Sequence, residues 1–126
     1  MKYFALALTT SVKKHWIYIT LFVLTAITVL SLTPLESLPP APGSDKTHHF
    51  VAYATLMFPT ALKKPKYLPS IVLFFIGWSG IIELIQPYVN RYGELKDLLA
   101  NIGGLGCGLV LAWIMQKIIN LNANIR

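Results

Sequence analysis

Residues 80–108 place two long apolar runs around a short polar turn and lodge ionisable side chains in both. Few folds accommodate that pattern. Apolar runs of this length enter lipid as helices, because hydrocarbon offers the backbone no hydrogen-bond partner outside its own segment. Glu83, Gln86, Arg91, Asp97 and Asn101 all fall in or beside these runs. Charged groups next to hydrocarbon are costly unless they face the interior of a bundle, so each is a candidate site residue.

The composition supports the same class. The chain has 126 residues, 55% hydrophobic and 13% charged, with a mean hydropathy of +0.58. Soluble domains carry roughly a quarter charged residues, so an ordinary soluble fold is excluded, and the length allows one domain, residues 1–126. The net charge of +6 does not indicate nucleic acid. Three lysines stand in Lys63-Lys64-Pro65-Lys66, between apolar runs, where a cytoplasmic membrane loop is expected. The single cysteine, Cys107, rules out a disulfide within the chain and any two-cysteine metal motif, and reads as a small packing residue.

Taken in order, residues 1–14 form a short basic segment, and residues 16–32 carry no charge. The latter span about 25 Å as a helix, enough for a bilayer core with its flanks. A retained helix is preferred over a cleaved signal peptide, since Pro34-Leu35-Glu36-Ser37 offers no small-residue cleavage site. Prolines 34, 39, 40 and 42 predict a stiff, extended loop. Ser44 should cap a second helix, about residues 45–62, with Asp45 in its first turn and a kink or loosened turn at Pro59. A third helix, about 67–86, should stop before Pro87. A fourth runs over about 97–119. The expectation is an all-α polytopic membrane protein, a four-transmembrane-helix bundle. Trp16, Tyr18, Tyr67, Tyr88 and Tyr92 suit the membrane–water interface, and His15 an anchor beside Lys14.

Charge sets the expected orientation. Lys2, Lys13, Lys14, Lys63, Lys64, Lys66, Lys117 and Arg126 fall on one side, against Lys46, Arg91 and Lys96 on the other. The positive-inside rule then puts both termini in the cytoplasm. All five acids, Glu36, Asp45, Glu83, Glu94 and Asp97, lie towards the extracytoplasmic face.

Helical spacing sorts the polar residues into three stripes. These are Asp45, His49, Ala52 and Tyr53; then Ser79, Gly80, Glu83 and Gln86; then Asp97, Asn101, Gly104 and Gly108. The topology brings the charged end of each stripe to a similar depth near the outer surface, with Lys46 and Arg91 nearby. Ala100, Gly104, Gly108 and Ala112 repeat every four residues, a pattern that lets membrane helices approach closely. Neither a nucleotide loop nor a nucleophile elbow is present, since Gly103-Gly104-Leu105-Gly106-Cys107-Gly108 lies inside an apolar helix and no GxSxG occurs.

In order and spacing, Asp45-Lys46-x-x-His49-Phe50-x-x-Tyr53, Glu83-x-x-Gln86, Arg91 and Asp97-x-x-x-Asn101-x-x-Gly104-x-x-x-Gly108 resemble the VanZ-like membrane proteins. The resemblance covers residues 45–108. It implies a membrane scaffold and an association with resistance to the glycopeptide teicoplanin, and no settled reaction. The chain would be a minimal version.

The reading of function is an extracytoplasmic polar pocket at the cell membrane that binds, or modulates access to, a cell-envelope component. Asp45, Lys46, His49, Tyr53, Glu83, Gln86, Arg91, Asp97 and Asn101 would line it. Lys46 and Arg91 would contact a phosphate or carboxylate group. The partners are the lipid bilayer and a lipid-linked or peptidoglycan-related component, with a homo-oligomer left open and no nucleic acid. The alternative is an intramembrane acid–base hydrolase or transferase acting on a lipid-linked precursor, with Glu83, His49 and Asp97 as catalytic candidates. A transporter ranks last, because the cytoplasmic halves of the helices hold Thr60, Gln116 and little else that is polar. His49, Asp45, Glu83 and Asp97 include acceptable metal ligands, but no tight motif such as HExxH is present, so neither metal nor cofactor is assigned.

Overall fold

The computed structural model describes residues 2–34, 43–89, 91 and 93–124. All its regular elements are helical: α1 Lys2–Lys14, α2 Trp16–Ser31, α3 Asp45–Lys63, α4 Leu68–Ile85, a 3₁₀ turn Gln86–Val89, and α5 Leu95–Asn124. Most of the expected proline loop, including Glu36, and Tyr92 of the expected interfacial set lie outside the described residues.

Three local features follow the expected chemistry. The Ser44 side chain caps α3 by accepting a hydrogen bond from Thr47 N–H at 3.2 Å. The α-helical part of α4 stops at Ile85, and the chain tightens into the 3₁₀ turn that contains Pro87. Helix α3 runs past Pro59 to Lys63, then ends on Lys64 in the left-handed region at φ 58°, whose N–H returns to Thr60 O at 2.9 Å.

Two segments differ from expectation. Residues 2–14 are helical, because KYFALALTTSVKK contains neither glycine nor proline to break a turn. This helix meets α2 at His15 with a bend of 75°. Helix α5 begins two residues earlier and ends five later than expected, since Leu95 and the polar tail carry no breaker. At 30 residues it is about 45 Å long, which exceeds the hydrocarbon core of a bilayer by several turns.

Length and composition qualify two helical stretches as able to cross a membrane, Leu68–Val89 and Leu95–Asn122; the bent pair α1–α2 makes a third if it counts as one span. Helix α3 is not among them. Its buried face is instead occupied by His49, Tyr53, Leu56, Met57, Pro59, Thr60 and Leu62, and it is the helix the others pack around. Polarity is distributed the opposite way from that of a soluble bundle: His49, Thr60, Ser79, Glu83, Gln86 and Asn101 are buried, while Leu73, Phe74, Ile81, Leu84, Val110, Leu111 and Trp113 are exposed. A protein solvated by hydrocarbon has that arrangement.

Helices α3 and α5 form the tightest pair. A Cβ on Gly104 would strike the Phe50 carbonyl oxygen, and one on Gly108 would lie 2.6 Å from Ala54 O and 2.8 Å from Met57 Cβ. The small-residue stripe therefore packs within the chain, backbone against backbone. Polar links fasten α2 to α3, α4 and the 3₁₀ turn: Thr20 to Thr60 (3.1 Å), Trp78 Nε1 donating to Thr28 Oγ1 (2.9 Å), and Gln86 Nε2 donating to Ser31 O (3.1 Å).

Candidate functional site

The three polar stripes meet at the end of the bundle where α3 and α5 begin and α4 ends. His49 is at the centre. Its ring Nδ1 lies 2.9 Å from Asn101 Oδ1, while Asn101 Nδ2 donates to Ser79 Oγ at 2.6 Å. Because the Asn101 amide gives its N–H to serine, its oxygen accepts from the imidazole, so Nδ1 carries the proton. The other ring nitrogen, Nε2, is not engaged by Asn101. That atom faces Asp45 Oδ2 at 3.5 Å.

Carboxylates surround the imidazole. Glu83 Oε1 is 4.0 Å from His49 Nδ1, and Glu83 Oε2 accepts a hydrogen bond from Glu94 N–H at 3.2 Å. The close approach of this turn requires Gly93, since a Cβ there would strike the Glu83 carbonyl oxygen. Asp97 is 3% exposed and Glu83 8% exposed. Asp97 Oδ1 and Glu83 Oε1 are both buried without a hydrogen-bond partner. Lys46 Nζ stands at the mouth, 3.4 Å from Glu94 and 3.9 Å from Asp97 Oδ1. One ligand atom from each of Asp45, His49 and Asp97 fits within 4.8 Å of the other two.

Not every candidate from the sequence joins this cluster in the same way. Arg91 is buried, and its Nη1 donates to Leu30 O (2.9 Å) and Thr33 O (3.0 Å) while Nη2 lies 3.8 Å from Asp45 Oδ1. Its guanidinium clamps the end of α2 and is not presented outward as a fork for an anionic group. Gln86 is likewise engaged with Ser31. Both residues hold α2 against the site. Ser79 and Glu94 belong to the network although neither is among the candidate ligands. Ser79 is in the polar stripe that the helical period picks out with Glu83, whereas Glu94, on a turn, gives no periodic signal.

The opposite end of the bundle is basic. A cleft of about 570 Å³ there is bordered by Lys13, Lys63, Lys64, Trp113, Gln116 and Lys117. Lys117 Nζ lies 4.6 Å over the Trp113 ring.

A family model described as VanZ/LLP1 matches residues 3–116. The chain belongs to the VanZ/LLP1 family. The match extends the resemblance seen over residues 45–108 to α1, α2 and most of α5. No curated protein and no solved structure matches the chain. Membership of the VanZ/LLP1 family and the apolar helices together make this a membrane protein. The family description names no reaction, so what the His49 cluster does has to be argued from its chemistry.

Proposed function

We propose that this VanZ/LLP1 protein crosses the membrane four times, with α2, α3, α4 and α5 as the spans and both termini in the cytoplasm, and that its His49 cluster receives a cell-envelope component at the outer face. The orientation is supported by the basic end around Lys13, Lys63, Lys64 and Lys117, opposite the end that holds Asp45, Glu83, Glu94 and Asp97. One observation carries the functional reading: two carboxylate oxygens, on Asp97 and Glu83, are buried with no hydrogen-bond partner. Buried polar atoms are ordinarily hydrogen-bonded, and these two carboxylate oxygens stand in the cluster around His49, where a ligand would engage them.

Asp45, Lys46 and Glu94 form the exposed mouth, and His49, Glu83 and Asp97 the floor. A hydroxyl- or amine-bearing part of a lipid-linked or peptidoglycan-related component would satisfy the floor. Teicoplanin susceptibility is the phenotype to examine, following the family's association.

The test uses the full chain in lipid nanodiscs with a labelled lipid-linked cell-wall precursor. Specific retention is expected for the wild type and should be lost in Glu83→Gln and Asp97→Asn, with membrane abundance and gel-filtration profile unchanged. Equal retention by both variants would sink the reading. Product analysis of the same samples separates the second reading, acid–base hydrolysis or transfer by His49 and Glu83, because turnover of the labelled precursor would replace binding as the activity.

A further inference from the structure

The His49 cluster has an unbalanced charge. Four carboxylates, Asp45, Glu83, Glu94 and Asp97, face two fixed cations, Lys46 and Arg91, within the ion-pair distances above. The carboxylates outnumber the fixed cations, and the two most buried of them, Glu83 and Asp97, each have an oxygen with no hydrogen bond. Buried anions in a low-dielectric setting require a compensating charge. Lys46 supplies little of it to Asp97: its ammonium lies nearer Glu94, is half-exposed, and at 3.9 Å makes no hydrogen bond to the buried oxygen.

We propose that Asp45, His49 and Asp97 bind a divalent transition-metal cation of the zinc, cobalt or manganese class. Three observations converge on it. The ligand atoms of these residues lie within 4.8 Å of one another, and an ion at about 2.0–2.2 Å from each N or O ligand would draw them in to roughly 3.5 Å by side-chain rotation. The Nδ1–H of His49 donates to Asn101 Oδ1, which leaves Nε2 as the coordinating atom and fixes the ring, as metal-bound imidazoles are fixed by a partner on their other nitrogen. Asp97, a member of this group, is buried and has a carboxylate oxygen with no hydrogen bond. One imidazole and two carboxylates select first-row divalent ions; magnesium and calcium, which prefer all-oxygen shells, fit less well.

Glu83 is on the Nδ1 side of the imidazole and acts as the neighbouring charge. Asp45 is half-exposed, so the site opens outward and leaves room for a further ligand on the ion. That opening connects the metal to the proposed envelope ligand: a hydroxyl of that component would reach the ion at its open position beside Glu83. The inference rests on the same cluster being a ligand site, but it is tested without any envelope component.

The experiment uses full-length protein in detergent, stripped with chelator, then equilibrated with Co²⁺ or Zn²⁺ and freed of excess. Elemental analysis should find about one ion per chain, and the Co²⁺ form should show visible d–d bands without the near-ultraviolet charge transfer that Cys107 ligation would produce. Asp45→Asn, at a half-exposed position that the fold tolerates, and Asp97→Asn should abolish stoichiometric binding. Asn101→Ala should weaken it about tenfold through loss of ring positioning. His15→Ala, at the far corner, should bind as the wild type does. Sub-stoichiometric metal in the wild type, or unchanged binding in Asp45→Asn and Asp97→Asn, would overturn the proposal. The two readings can fail separately: stoichiometric metal without precursor retention removes the envelope reading alone, and precursor retention by a wild type that takes up no stoichiometric metal removes only the metal.

Discussion

His49 Nδ1 and Asn101 Oδ1, 52 positions apart in the chain, lie 2.9 Å from each other in the bundle interior. This bond joins α3 to α5 at the depth where Glu83 of α4 also arrives, and it sets which imidazole nitrogen is left free. The glycine contacts one and two turns further along the same helix pair make the approach close enough for the bond to form.

Removing Asn101 tests how much the fold depends on that bond. Asn101→Ala leaves both the His49 N–H and the Ser79 hydroxyl without this partner in a buried setting, which costs about 1–3 kcal/mol per unsatisfied group. The apparent melting midpoint in detergent, followed by gel filtration after heating, should fall. Asn101→Gln, with the same groups on a longer arm, should recover only part of the loss.

The glycines can be tested against one another. Gly104→Ala and Gly108→Ala add a methyl group where α3 backbone already stands, and each should destabilise the fold by about 1–3 kcal/mol. Gly106→Ala meets nothing within 4 Å, so its stability should stay within about 0.5 kcal/mol of the wild type or rise. Equal melting midpoints for Gly104→Ala and Gly106→Ala would contradict the close α3–α5 approach.

Arg91 should not be replaceable by lysine. Its Nη1 bonds two carbonyls, Leu30 O and Thr33 O, while Nη2 faces Asp45. A single ammonium cannot span that arrangement. Arg91→Lys should weaken the docking of the α2 terminus by about 1.5–3 kcal/mol, seen as at least about tenfold faster hydrogen exchange over the last turn of α2.

The proposed orientation predicts a labelling pattern. In a Cys107→Ala background, an impermeant thiol reagent applied from outside the cell should modify Ser44→Cys and Glu94→Cys. Lys64→Cys and Lys117→Cys should react only after permeabilisation. The reverse pattern would invert the topology.

The features legible in the sequence are those written in local spacing. The Ser44 cap, the end of α4 before Pro87 and the residues that share each buried face follow from turn chemistry and helical period. The stripe of Asp97, Asn101, Gly104 and Gly108 is buried as a unit for the same reason. Helix α1 and the extra turns of α5 were missed because nothing local marks them, only the absence of a breaker.

The sequence by itself determined an all-helical membrane chain and which residues are too polar to face lipid. Only the tertiary structure decided what each of those residues is bonded to. Arg91 and Asp97 look alike in the sequence, both charges beside apolar runs. In the bundle, Arg91 is consumed by the carbonyls at the end of α2, whereas Asp97, grouped with His49 and Asp45, keeps a buried oxygen with no hydrogen bond. The difference depends on which backbone groups another helix happens to leave exposed at its end, a long-range property that side-chain spacing along one helix does not encode.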